Sequence, residues 1–195
     1  MPAKTKIKLA YNCPVVLTYA AVCLVMLGIN WITGGWFNHY VMVCWGHPNL
    51  LDPMSYLRVI TYFFGHSSWE HYASNMLLML LVGPIVEEKY GSWNLAFMIM
   101  ITGVASGLIH CIFFEGGIIG ASGIVFMMII LSTFTNVKKG EIPLTLILVA
   151  VIYLGREVVN AFSNDNVSQF GHIVGGLFGL FWGIYYYRTK FQSQY

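Results

Sequence analysis

Residues 170–187 read FGHIVGGLFGLFWGIYYY, an apolar run long enough to cross the hydrocarbon core of a bilayer. The run contains His172 and glycines that repeat every four residues, at Gly171, Gly175 and Gly179. Glycines at that interval form one face of a helix and let a second helix approach closely. A histidine inside a membrane helix is costly unless it has a partner or a function. The run therefore predicts a closely packed membrane helix. Taken alone, His172 also fits an interfacial residue at the end of a span, so its role stays open at this point.

A second apolar run, residues 120–136, begins with Gly120-Ala121-Ser122-Gly123. A serine hydroxyl is a poor nucleophile until a base accepts its proton, and histidine is the usual base. Taken alone, Ser122 also fits a small packing residue of a membrane helix, so its role stays open at this point.

The two runs place Ser122 and His172 at the same depth. Ser122 lies sixteen residues before Lys138, and His172 lies sixteen residues before Arg188. At 1.5 Å per residue, both lie about 24 Å from those charges on two parallel helices. Equal depth favours a Ser–His hydrolase that works inside a membrane.

The composition of the whole chain agrees with a membrane location. Of its 195 residues, 57% are hydrophobic and 9% are charged, whereas soluble domains have about 25% charged residues. The formal net charge of +2 is too small to indicate a nucleic-acid partner. We expect one integral membrane domain over residues 1–195, with the lipid bilayer as its surroundings.

The hydropathy pattern predicts an all-α fold of six transmembrane helices with a long interfacial first loop. The expected spans are residues 13–32, 71–86, 93–114, 120–136, 142–159 and 170–187. Residues 33–70 contain no run long enough to cross, so short amphipathic segments at the interface are expected there. No small-residue cleavage site follows the first run, which favours a retained span over a signal peptide.

The basic residues predict the orientation. Eight of the ten fall on one side of the six expected spans and leave Arg58 and Arg156 on the other. The eight are Lys4, Lys6, Lys8, Lys89, Lys138, Lys139, Arg188 and Lys190. The positive-inside rule then places both termini in the cytoplasm.

Two polar residues of the second expected span share one helical face, since His71 and Asn75 are four residues apart. Asn75 is fourteen residues before Lys89, or about 21 Å away along a helix, close to the depth of the serine and the histidine. Acyl transfer needs donors for a developing oxyanion. An interhelical hydrogen bond for Asn75 and an interfacial position for His71 are equally good interpretations.

The four cysteines show neither paired nor metal-type spacing. Buried free thiols are the preferred interpretation. Cys44 and Cys111 alone fall on the expected non-cytoplasmic side, and whether they pair stays open.

In order along the chain, these polar and glycine residues resemble the rhomboid family of intramembrane serine proteases. The set is Arg58, His66, His71, Asn75, Gly120, Ser122, Gly123, His172, Gly175 and Gly179. The resemblance implies a dyad of Ser122 as nucleophile and His172 as general base, without an acidic third member. It also implies an oxyanion hole formed by His71, Asn75 and the Ser122 backbone N–H.

The resemblance implies supporting roles for further residues. Arg58 and His66 would brace the first loop, which has Leu57-Arg58 where the family commonly has Trp-Arg. Glu87 would tie helix ends together at the cytoplasmic side, an ordinary interfacial charge being the alternative. Phe126 stands where the family commonly has the tyrosine that stacks on the catalytic histidine, so the stacking is kept and a hydroxyl is lost.

The implied function is that of a serine endopeptidase that cleaves single-pass membrane proteins without a metal or cofactor. The alternative is a catalytically inactive rhomboid-like binding or quality-control factor, although the chain keeps both dyad residues. His66 and His71 are five residues apart, which disfavours a metal-dependent hydrolase. A transporter would favour charged residues within the spans or an internal repeat, and the sequence shows neither. The small core, without an additional domain or a seventh span, favours a bacterial plasma membrane.

Overall fold

The computed structural model describes residues 10–135, 137, 141–142, 144–149, 151–152 and 166–191. Most of the described chain is helical. The helices are α1 (Pro14–Ile32), α2 (Pro53–Thr61), α3 (Trp69–Tyr90), α4 (Ser92–Phe113), α5 (Ser122–Thr133), α6 (Leu144–Val149) and α7 (Asn166–Tyr186). Shorter turns are π-helical at Asn38–Met42 and Tyr187–Phe191 and 3-10 at Tyr62–Phe64. Two short strands, β1 (Cys44–Trp45) and β2 (Gly117–Ile118), pair antiparallel.

The mostly helical fold predicted from the sequence is confirmed. Among the described helices, α1 and α4 are long and apolar enough to cross a membrane, and α5 is a shorter apolar helix. Of the expected span 142–159, α6 is described, and the residues around it lie largely outside the described part of the chain. Six crossings therefore stay a prediction.

The helix bounds differ from the expected spans at several ends. Helix α3 is longer at both ends, α5 begins two residues later than expected, and α7 begins four residues earlier. Ser68 precedes the first turn of α3 and accepts a hydrogen bond from the backbone N–H of His71 at 3.2 Å. At the other end, Gly91 separates α3 from α4 with φ +82°, a conformation that favours glycine. Caps at both ends extend α3 beyond its apolar run.

The first loop consists of short segments, as expected, but it also contains β1. Cys44 lies opposite Ile118, and Trp45 lies opposite Gly117. The strand pair departs from the expected all-α fold. Two-residue strands are too short to show the alternation of polar and apolar residues by which a strand is predicted.

Large apolar side chains are exposed around the helices, while polar side chains are buried between them. Exposed apolar residues include Leu77, Leu81, Phe97, Ile112, Leu177 and Phe181. Buried polar residues are Asn30, Asn38, Ser55, His66, Asn75, Glu87, Thr102, Ser106 and His110. A helix with an apolar outer face is suited to lipid rather than water, since soluble proteins seldom expose such continuous apolar surface.

Glu87, near the end of α3, connects the ends of three helices. Its carboxylate oxygens accept hydrogen bonds from the backbone N–H groups of Val15 and Val16 at 3.0 Å each. The Ser92 hydroxyl donates a third at 2.7 Å. The first N–H groups of a helix have no partner within that helix, and Glu87 accepts hydrogen bonds from two such groups of α1. The negative charge of Glu87 also interacts favourably with the positive, N-terminal end of the α1 dipole. The side chain is 4% exposed.

Substitution of Glu87→Gln removes this charge and one acceptor oxygen from beside the α1 N–H groups. We expect the free energy of unfolding to fall by about 2 kcal/mol, because hydrogen bonds to a charged group are the stronger ones. The melting temperature in detergent, followed by tryptophan fluorescence, should fall by about 6 °C. Glu88→Gln is the control, since Glu88 is exposed; an equal loss in both variants would contradict the role of Glu87.

Candidate functional site

Helices α5 and α7 touch through their backbones. A Cβ atom built on Gly123 would lie 2.9 Å from the carbonyl oxygen of Gly171, and one built on Gly175 would overlap the carbonyl of Gly123. Further along, a Cβ on Gly179 would lie 2.7 Å from the carbonyl oxygen of Met127. The glycine face predicted for α7 therefore lies against α5. Because the contacts advance together along both helices, α5 and α7 run parallel.

Ser122 is the first residue of α5 and is partly exposed. The turn before it is held by Gly120, whose N–H donates to the carbonyl oxygen of Tyr62 at 3.0 Å. Gly120 has φ +123°, which side chains rarely adopt. Backbone N–H groups in the first turn of a helix lack partners within that helix, so the Ser122 N–H is a potential donor at the site.

His172 lies in α7 with its ring stacked on that of Phe126. The ring centroids are 4.3 Å apart and the planes are inclined by 7°. Phe126 is four residues after Ser122 in α5, so both residues share one helical face about one turn apart. The stack therefore brings the imidazole to the face of α5 that carries Ser122.

His71, in the first turn of α3, packs against the turn that precedes Ser122. A Cβ on Gly120 would lie 2.7 Å from Nε2 of His71, so only glycine leaves room for the ring. On its other side, Nδ1 of His71 lies 3.0 Å from the Ser67 hydroxyl. If that hydroxyl donates to Nδ1, Nε2 carries the proton and is a donor. His71 and His172 are also close enough to interact electrostatically.

Asn75 lies one turn after His71 on α3 and is 6% exposed. Among the described residues, its side-chain Nδ2 has no hydrogen-bond partner. A buried amide donor without a partner costs free energy, and native proteins tolerate such groups mainly where they have a function. This N–H group is available to a ligand with a negatively charged oxygen.

Arg58 makes hydrogen bonds within the first loop through its side chain, whereas His66 does so through its backbone carbonyl. Arg58 Nε donates to the carbonyl oxygen of Tyr40 at 2.9 Å, and its guanidinium pairs with Asp52 at 3.3 Å. The carbonyl oxygen of His66 accepts from Asn38 at 2.8 Å. Burial, and to a smaller extent the charge of His71, lower the pKa of His66 to about 4, so this ring is neutral at pH 7.

A small cavity of about 10 Å³ lies beside Ser122, close to the smallest volume that holds one water molecule. Its polar lining includes Tyr62, Thr102 and Ser106. Sequence reasoning did not select these residues, because serine and threonine in an apolar helix fit simple packing. A spacing signal was present for Ser106: it lies four residues before His110, another buried polar residue of α4.

Taken together, the structure brings Ser122, His172, His71, Asn75 and Phe126 to one region where α3, α5 and α7 meet. The supporting glycines lie at the same contacts. Arg58 lies in α2, and His66 lies in the chain that follows α2. Glu87 lies at the opposite end of α3 from His71. Among the described residues, no three His, Cys, Asp or Glu side chains are arranged to hold a metal ion.

A family model described as the rhomboid domain matches residues 53–189. "Rhomboid protease GluP" of Bacillus subtilis (strain 168) is 27% identical over 187 residues, which is 91% of this chain and 36% of that protein. "Rhomboid-like protein 11, chloroplastic" of Arabidopsis thaliana is 26% identical over 137 residues, which is 69% of this chain and 46% of that protein. The chain spans less than half the length of these relatives.

The rhomboid domain match, together with the apolar helices α1 and α4, indicates a helical membrane protein. The domain match covers more than two thirds of the chain, so this protein belongs to the rhomboid family. The resemblance inferred from the sequence motifs is thereby confirmed. The matched region contains every candidate site residue, from Arg58 to Gly179.

Substitution of Gly175→Ala should force α5 and α7 apart, because the added methyl group would overlap the Gly123 carbonyl. We expect a loss of about 2–3 kcal/mol in unfolding free energy, as for overpacked cores, measured as a lower melting temperature in detergent. Gly28→Ala is the matched control, since nothing lies within 4 Å of its Cβ position. That variant should be unchanged or more stable, and an equally tolerated Gly175→Ala would contradict the close contact.

Proposed function

We propose that this protein is an intramembrane serine endopeptidase with Ser122 as nucleophile and His172 as general base. The observation that carries the proposal is the stack of His172 on Phe126, one turn from Ser122 on the same face of α5. Membership of the rhomboid family supports it, as does the likeness to a relative named a rhomboid protease. The close backbone contact of Gly123 with Gly175 also supports the proposed Ser–His hydrogen bond, because it brings α5 and α7 together next to Ser122.

In the proposed reaction, the imidazole of His172 accepts the Ser122 hydroxyl proton as the oxygen attacks the scissile carbonyl carbon. The protonated imidazole then donates to the leaving amine, which leaves an acyl group on the serine. A water molecule, activated by the same histidine, hydrolyses this ester. The cavity beside Ser122, with its hydroxyl lining, offers room for such a water. No metal or cofactor takes part in these steps.

Three donors would stabilise the tetrahedral oxyanion. They are the Asn75 side-chain amide, the His71 ring and the backbone N–H of Ser122. Support comes from the buried Asn75 Nδ2 without an acceptor among the described residues, and from the contact of His71 with Gly120. Each such donor contributes about 3–4 kcal/mol to transition-state stabilisation.

The proposed topology has six spans with both termini in the cytoplasm of a bacterium and the site near the outer face of the plasma membrane. The parallel packing of α5 and α7 supports a crossing between them, since the chain must return to its starting side. The distribution of basic residues supports the orientation. A site near that face is accessible to water from outside the membrane.

Single-pass membrane proteins are the proposed substrates. A peptide bond within a helix is shielded by the helix's own hydrogen bonds, so the substrate must unwind locally before Ser122 can attack. Glycine or proline near the outer end of the substrate span would lower that cost.

Labelling with a fluorophosphonate probe tests the dyad. We expect the detergent-solubilised parent to label, Ser122→Ala to lose labelling, and His172→Ala to label at least about 100-fold more slowly. Ser132→Ala is the control on the same helix, since the Ser132 hydroxyl donates only to the nearby Ile129 carbonyl among the described residues. Equal labelling of parent and Ser122→Ala would overturn the dyad, and a folded parent without labelling would favour the non-catalytic binding role.

Substitutions at Asn75 test the oxyanion hole. Asn75→Ala should lower kcat for a reconstituted single-pass substrate about 100- to 1,000-fold with little change in KM, because the lost bond belongs to the transition state. Asn75→Asp should lower kcat further, since it places an acceptor beside the developing negative charge. Ser74→Ala, at an exposed neighbouring position, is the control. A change confined to KM would contradict the proposed role.

A further inference from the structure

Two cysteines that have no part in the proposed reaction lie side by side. The Sγ atoms of Cys44 and Cys111 are 3.4 Å apart, although 67 residues separate them along the chain. Both side chains are buried, with 1% and 9% exposed, and the structure holds both as free thiols. Cys44 lies in β1 of the first loop, and Cys111 lies in the last turn of α4.

The backbone around the two sulfur atoms is fixed by several hydrogen bonds. The N–H of His47 donates to the carbonyl oxygen of Cys111 at 2.9 Å, and the N–H of Gly46 donates to that of Gly116 at 2.7 Å. Gly46 also fits so closely that a Cβ there would lie 3.1 Å from Cα of Glu115. The loop and the end of α4 therefore hold the two thiols opposite each other.

We propose that Cys44 and Cys111 form a disulfide bond that joins the first loop to the end of α4. An S–S bond is about 2.05 Å long, so the sulfur atoms need to move together by about 1.4 Å, which rotation of two short side chains can supply. The proposal rests on the topology proposed above, in which this end of the bundle faces the oxidising side of the membrane.

The bond forms by thiol–disulfide exchange with a disulfide oxidant of that compartment. One thiolate attacks the oxidant and releases one of its sulfurs as a thiol, and the second cysteine then displaces the other. The two cysteines lose two electrons and two protons, and the oxidant leaves as two thiols. Burial raises the pKa of Cys44, so thiolate is scarce once the loop has packed. Because both side chains are buried in the packed structure, we expect oxidation before the loop packs and a completed bond that is shielded from reductants.

The position of the bond connects it with the candidate site. Cys44 lies opposite Ile118 in the strand pair, and the chain continues from β2 through Gly120 to Ser122. A covalent link behind this strand pair restricts separation of the loop from the segment that presents the serine. The bond also closes a long loop, the case in which a crosslink removes most freedom from the unfolded chain.

The test is a thiol count on the full chain isolated from membranes without reductant. Free thiols are blocked with N-ethylmaleimide in denaturant, and intact mass and peptide mapping follow. We expect two blocked thiols, Cys13 and Cys23, and a linked peptide pair with Cys44 and Cys111. Cys44→Ser should leave three blocked thiols and lower the melting temperature by on the order of 10 °C. Cys23→Ser, a buried control, should keep the linked pair.

Four blocked thiols in the parent would overturn the proposal. A separate labelling experiment identifies the reason. Intact cells that carry the Leu51→Cys variant are treated with a membrane-impermeant maleimide. Leu51 is suited to this test because it lies in the first loop and is 91% exposed. Labelling from outside would show that the topology holds and that the pair stays reduced there. Protection from the reagent would show that the proposed topology had failed as well. Fluorophosphonate labelling of the parent reports on the serine site independently of both results.

Discussion

The backbone contact between Gly123 and Gly175 is the constraint on which the remaining structure depends. Lipid supplies no hydrophobic force to hold helices together, so close packing of small residues must provide their attraction. The missing side chains let α5 and α7 approach until a single Cβ atom would overlap a carbonyl. That approach also sets the position of His172 relative to Ser122. Packing and the proposed chemistry thus have one physical origin.

Two buried polar residues of α3, Glu87 and Asn75, differ in their hydrogen-bond partners. Glu87 has its oxygens occupied by α1 and α4, so it stabilises the junction of three helix ends. Asn75 is equally buried, yet its Nδ2 has no acceptor among the described residues. Burying either side chain in an apolar medium costs desolvation free energy. Within the described structure, hydrogen bonds to the side chain offset that free energy for Glu87, whereas the Nδ2 group of Asn75 has no such hydrogen bond. The difference separates a structural polar group from one suited to bind a ligand.

Several features of the site followed from spacing in the sequence, and others did not. The four-residue interval of the α7 glycines predicted a contact face, and His71 with Asn75 predicted a shared face of α3. The strand pair of β1 with β2 was beyond such reasoning. For Cys44 and Cys111 the predicted topology placed both on one side of the membrane, but it could not show that their sulfur atoms meet. Both features arise from contacts between residues more than sixty positions apart, for which a single sequence contains no periodic signal.

The sequence by itself determined the apolar helices, the family and the residues available for chemistry, because composition and helical periodicity are local properties of a chain. Only the tertiary structure decided which partners those residues meet: the His172 ring on Phe126, the His71 ring against Gly120, and the carboxylate of Glu87 on the first turn of α1. These contacts depend on interhelical distances of a few ångströms. Such distances are set by close packing of the whole bundle rather than by any one segment.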